Sequence, residues 1–141
     1  MSFDIFVMCF RNGDAATFER ALFEEIFGRG AIDPQLPFTS VTYGDGSAEI
    51  YGADESEDIE HLMFNHCGGD TFYSALYELA DRSGSVVIWP VIGRQIAVTS
   101  KAIIEHLPAD VESLGPAYVV SNGQELAACV FLDDQMPPPS G

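Results

Sequence analysis

The chain has 141 residues, 47% of them hydrophobic, and 22 Asp and Glu against 6 Lys and Arg, for a formal net charge of -16. An acidic excess of that size repels nucleic acid and anionic membrane surfaces and draws basic partners inward. Ten Phe and five Tyr supply ample apolar material for a core, and the length fits one domain that buries about 68% of its unfolded surface.

From the N-terminus, Phe3 to Phe10 reads as an apolar strand, and the start Met1-Ser2-Phe3-Asp4 lacks the basic region of a signal peptide. Gly13-Asp14 then opens a helix. Asp14 or the following Thr supplies the N-cap, Phe18, Leu22 and Ile26 line one face, and Gly28 marks the stop. Two strands, Phe38 to Tyr43 and Ala48 to Tyr51, flank the turn Gly44-Asp45-Gly46. The pattern recurs in the second half. Ile59 to His66 is a strand and Asp70 caps a helix with Phe72, Leu76 and Leu79 on its core face. Gly84 ends that helix, and Ser85 to Val91 and Gln95 to Thr99 form a hairpin around Ile92-Gly93-Arg94. At an offset of 54, Thr17 to Glu24 matches Thr71 to Glu78 at five of eight positions. Each half thus reads β-α-β-β, and a tandem duplication is expected.

Beyond the second half, Ser100 or Thr99 caps a short helix through Leu107, ended by Pro108. Ala117 to Val120 and Glu125 to Leu132 flank Ser121-Asn122-Gly123-Gln124, where Asn-Gly predicts a hairpin. Residues 133–141 read as a flexible Pro-rich tail. The expected fold is α+β, a single domain over 1–132. Half-repeats at about 1–53 and 58–100 precede a C-terminal helix and hairpin at 100–132, with a largely antiparallel sheet and helices mainly on one face.

Charge follows this organisation. Between Arg29 and Arg82 there is no Lys or Arg, and the stretch holds eleven acids. Its densest run is Asp54-Glu55-Ser56-Glu57-Asp58-Ile59-Glu60, the connection between the halves. Residues 82–101 carry three cations, Arg82, Arg94 and Lys101, and no acid. Adaptation to high salt also produces acidic surfaces, but it is not usually accompanied by so many Phe residues. The longest apolar run, Ser85 to Ile92, is far too short to span a bilayer. No membrane association is expected, and a cytoplasmic address follows. Cys9, Cys67 and Cys129, odd in number and without CxxC spacing, are expected as reduced thiols.

One stretch holds the parts of a nucleophile site. In His66-Cys67-Gly68-Gly69-Asp70 a thiol and a histidine precede a helix start, with free N–H groups in the Gly-Gly turn. Three points count against it. Neighbours along a strand face opposite ways, acidic surroundings raise a thiol's pKa, and the equivalent first-half position is Asn12. The turn therefore reads as structural and Cys67 as a small buried hydrophobe. His61 and His66 are an odd number of residues apart and His106 is remote, so no metal site is expected; Asp45 to Glu49 lacks the alternating carboxylates of a calcium loop. No phosphate loop, dinucleotide fingerprint or Gly-x-Ser-x-Gly elbow is present, so no cofactor is expected.

Two function classes follow. The first is a small acidic module that binds a basic protein, with the size and charge of an immunity protein, antitoxin, inhibitor or nucleic-acid mimic. Asp54, Glu55, Glu57, Asp58 and Glu60 would steer the partner. Tyr73 and Tyr77, one turn apart on the second helix, would either finish the packing or anchor an Arg-rich partner beside Glu78 and Asp81. The second class is an enzyme or ligand-binding domain. Its pocket would form between the halves near His66 and Cys67, where Arg82 or Arg94 would meet an anionic metabolite.

Overall fold

Ile5, Val7 and Cys9 are buried while Phe6, Met8 and Phe10 are half-buried, so the first strand has two unlike faces that both seek cover. A computed structural model of the chain describes residues 4–28, 31–33, 39–52, 57–89, 95–112 and 117–135. The first half comprises β1 (Ile5–Arg11), β2 (Asp14–Ala15), β3 (Phe18–Glu19), α1 (Arg20–Phe27), β4 (Ala31–Asp33), β5 (Thr39–Tyr43) and β6 (Gly46–Tyr51). The second comprises β7 (Asp58–Ile59), β8 (His61–Gly68), α2 (Asp70–Ser83), β9 (Ser85–Trp89) and β10 (Gln95–Val98). Then follow α3 (Lys101–Ile104), α4 (Ala109–Glu112), β11 (Tyr118–Val119) and α5 (Gly123–Gln135).

The fold is α+β. One sheet runs β11-β10-β9-β1-β8-β6-β5-β4, antiparallel at every step except β10 beside β11, and β2 folds back onto β1. β3 and β7 pair separately as a short ribbon. Helices lie mainly on one face. There Ile5, Val7, Leu62, Phe64 and Ile50 of the sheet pack with Phe23 and Phe27 of α1, Phe72 and Leu76 of α2, and Leu126 of α5. The rings of Phe27, Phe64 and Phe72 lie 5.5–6.4 Å apart at tilted or edge-on angles. The opposite face has a smaller core, where Val86, Ile88, Ile96 and Val98 meet Ile103, Leu107 and Val111 from the α3–α4 segment. This second cover explains why all five residues of β9 are buried.

Three expectations are corrected. The first helix begins at Arg20, not after Asp14. Asn12 and Gly13 both take positive φ, 52° and 83°, which is the geometry of a two-residue hairpin, and Asp14 pairs with Arg11. The C-terminal hairpin over Ala117 to Leu132 is absent; the chain after Val119 turns into α5 instead. Asn122 Oδ1 accepts from the Glu125 N–H at 2.9 Å, and Glu125 Oε1 accepts from the Ser121 N–H at 2.8 Å, a reciprocal capping pair that starts a helix. The tail is shorter than expected, because α5 includes Asp133, Asp134 and Gln135. The turn at Gly93-Arg94 and the tail at 136–141 lie outside the described residues.

The halves also hold different places in the sheet. β9, which follows α2, lies beside β1 near the middle, whereas β4, which follows α1, lies at the edge.

Candidate functional site

The acidic run between the halves becomes structured through the β3–β7 ribbon. Phe18 pairs with Ile59 and Glu19 with Asp58, so the apolar pair turns inward and the acidic pair outward. The Arg20 N–H donates to the Glu57 carbonyl at 2.8 Å, and its guanidinium donates to Glu57 Oε1 at 2.8 Å and lies 3.4 Å from Glu24. Arg20 is the one cation among the described residues of this ribbon, against Glu19, Glu24, Glu57, Asp58 and Glu60. A groove of about 400 Å³ opens beside it, lined by Glu19, Ala21, Leu22, Glu25 and Arg82.

Of the five acids read from the sequence, Glu57, Asp58 and Glu60 are exposed here, and Asp54 and Glu55 lie outside the described residues. Glu19, Glu24 and Glu25 were not singled out by the sequence reading. The available signal was the complementary pair Phe18-Glu19 and Asp58-Ile59, each one apolar and one acidic residue. It was hidden inside a stretch whose periodicity suggested a helix.

Arg82 does not stand free to meet an anion. It pairs with Glu25 of α1 and, at 3.1 Å, with Glu78 one turn earlier on α2. Those hydrogen bonds, from Glu25 first, push its pKa further up. Arg94 lies outside the described residues.

The structure separates His66 from Cys67. β8 carries one extra residue against β6, between the pairs Glu49–Asn65 and Ser47–Gly68, and His66 takes φ 46° at this bulge. Its Nδ1 meets Glu49 Oε2 across the strands. Cys67 instead packs against the helix-side core. Burial, with a smaller contribution from Asp4, pushes its thiol up to about 12, far from the range of an activated nucleophile. The glycines beside it serve the backbone. A Cβ on Gly46 would stand 2.1 Å from the Gly68 carbonyl oxygen, and one on Gly69, at φ 98°, would stand 2.6 Å from that of Asp45. The close crossing lets Asp45 Oδ2 accept from the Thr71 N–H at 3.0 Å, so the β5–β6 turn caps α2.

Tyr73 and Tyr77 go to packing. Tyr73 is 3% exposed, with its ring edge-on to Phe72 at 5.1 Å. Tyr77 is half-buried against the same core, and loss of solvent contact, then Asp81 and Glu125, push its phenol up. α5 covers this side of α2 so closely that a Cβ on Gly123 would stand 2.7 Å from Ser74 Cα.

Among the described residues, no three His, Cys, Asp or Glu side chains gather as a metal site, and no helix is long and apolar enough to cross a membrane. Comparison with protein-family models, with curated proteins and with solved structures finds no match for this chain.

Proposed function

We propose that the protein is a cytoplasmic binding module for a basic partner protein, engaged through the β3–β7 ribbon and the groove beside it. The observation that supports this reading is the pairing of Glu19 with Asp58, two exposed acids on neighbouring strands, with Glu19 also lining a groove shared by Glu25 and Arg82. Ala21 and Leu22 give that groove an apolar floor for the stem of a Lys or Arg, whose head meets the acids. Arg82 already pairs with Glu25 within the chain. Asp54 and Glu55 extend the same acidic run in sequence. Such a surface accelerates encounter with a basic protein and selects against acidic ones.

The test is affinity capture from native lysate at low and high salt, followed by kinetics with the purified partner. A basic protein is held at low salt and released at high salt. Neutralising the ribbon with Glu19→Gln, Asp58→Asn and Glu60→Gln slows its association about tenfold, while Asp4→Asn, Asp14→Asn and Glu105→Gln leave the rate nearly unchanged. Equal slowing by both sets, or by neither, sinks the proposal.

A further inference from the structure

A second cavity, of about 240 Å³, lies where β1 and α2 end and α3 begins, and its wall combines unlike chemistries. Arg11 and Asp81 both line it, both exposed, yet they make no ion pair with each other. Arg20 and Arg82 are ion-paired, whereas Arg11 has no such partner among the described residues. Opposite charges on one cavity that stay apart leave a positive wall and a negative wall facing the same space.

His106 adds a donor. Its Nδ1 accepts from the Asn12 N–H at 3.1 Å and its carbonyl from the Gly13 N–H at 2.9 Å, so the β1–β2 turn holds it in place. With Nδ1 used as acceptor, the neutral ring carries its hydrogen on Nε2. Phe10 and Ile103 give the cavity an apolar side, and Thr99 carries a buried hydroxyl without a hydrogen-bond partner.

We infer that this cavity binds a small zwitterion, by chemical class a free α-amino acid with an aliphatic side chain. Arg11 and His106 take the carboxylate, Asp81 takes the ammonium, and Phe10 and Ile103 take the side chain. The volume falls below the roughly 300–1,000 Å³ of sites for drug-sized ligands, which suits a molecule of this size. A simple anion such as phosphate gains Arg11 but is repelled by Asp81. The inference is independent of the acidic ribbon.

The experiment is a backbone amide NMR titration of the full chain with L-leucine, acetate, methylammonium and inorganic phosphate. Leucine moves the amides of Arg11, Ser100, Ala102 and Ile103 saturably, and acetate and methylammonium, each carrying one charge, bind at least tenfold more weakly. Arg11→Gln and Asp81→Asn each weaken leucine at least tenfold. Both side chains are exposed, and an unchanged spectrum away from the cavity shows that each variant is folded. Absence of leucine shifts at these amides overturns the inference. So does phosphate or acetate binding as tightly as leucine, or leucine affinity surviving Asp81→Asn, since each reduces the cavity to an anion site or to nothing.

Discussion

Thr17 to Glu24 and Thr71 to Glu78 share five of eight residues but take different shapes. In the first segment Phe18 and Glu19 are extended against β7, and the helix starts only at Arg20, with no side-chain cap from Glu19. In the second, the helix runs unbroken over 14 residues from Asp70, its first turn capped by Asp45 from another strand. Phe18 is 7% exposed and its counterpart Phe72 is wholly buried among Phe27, Phe64 and Tyr73. Shared apolar positions decide which residues go inside. The cap and the pairing partner, both remote in sequence, decide whether the segment coils or extends.

The strongest way to break this contrast is at the turn that precedes each segment. Gly69→Ala imposes strain at φ 98° and drives a Cβ into the Asp45 carbonyl. We expect a loss of about 3–5 kcal/mol in urea unfolding, the sum of backbone strain and overpacking. Gly13→Ala, at φ 83° with open space around its Cβ, is expected to lose about 1–2 kcal/mol, the left-handed penalty alone. Equal losses would show that the close crossing at Gly69 does not hold α2.

The paired phenylalanines come next. Phe72→Ala removes a ring from the centre of the aromatic cluster and is expected to lose about 3–5 kcal/mol. Phe18→Ala is expected to lose less by about 1 kcal/mol or more, because its ring keeps some solvent contact where that of Phe72 keeps none. Matching chemical-denaturation curves of the two variants measure the difference directly.

What was legible in the sequence divides along the same line. The strands around the Gly44-Asp45-Gly46 turn, the second helix with its stop at Gly84, and the core face Phe72, Leu76 and Leu79 follow from local periodicity and turn chemistry. The dipeptide Asn-Gly shows where local rules end. At Asn12-Gly13 it makes a hairpin, and at Asn122-Gly123 it starts a helix. Glu125, three residues after Asn122, was the distinguishing signal, since it completes a capping pair that the first site lacks. Leu126, Ala127 and Val130, buried at helical spacing, agree with it. The candidate acidic site was half legible. Glu57, Asp58 and Glu60 stand out by density, but Glu19 joins them only through a strand pairing that no local pattern encodes. At Cys67 burial, more than the acidic surroundings that the sequence pointed to, raises the thiol.

A smaller effect tests the remote cap. Asp45→Ala removes the acceptor for the Thr71 N–H and is expected to lower Tm by about 2–4 °C, with fraying confined to the start of α2 in amide exchange. The hydrogen bond from the Thr71 backbone N–H, the largest of several contributions, lowers the Asp45 pKa from its ordinary value of 3.8. The native state therefore favours the ionised form, and its contribution is complete above that value and fades as pH falls below it. The wild type and Asp45→Ala should converge in stability in acid, and a gap that persists there would mean that the carboxylate charge is not what caps α2.

The smallest expected effect sits at Arg20, where the first segment leaves its ribbon for its helix. The guanidinium bridges Glu57 and Glu24, but it is 30% exposed and Glu57 is 85% exposed, so solvent screens both pairs. The backbone bond from the Arg20 N–H to the Glu57 carbonyl does not need the side chain. Arg20→Gln should therefore cost about 0.5 kcal/mol at low salt and less at high salt, measured by thermal unfolding at two ionic strengths. A loss well above 1 kcal/mol would mean that one ion pair, rather than the inward packing of Phe18 and Ile59, holds the first segment extended. The contrast with the second segment would then come from charge and not from the cap and the strand partner.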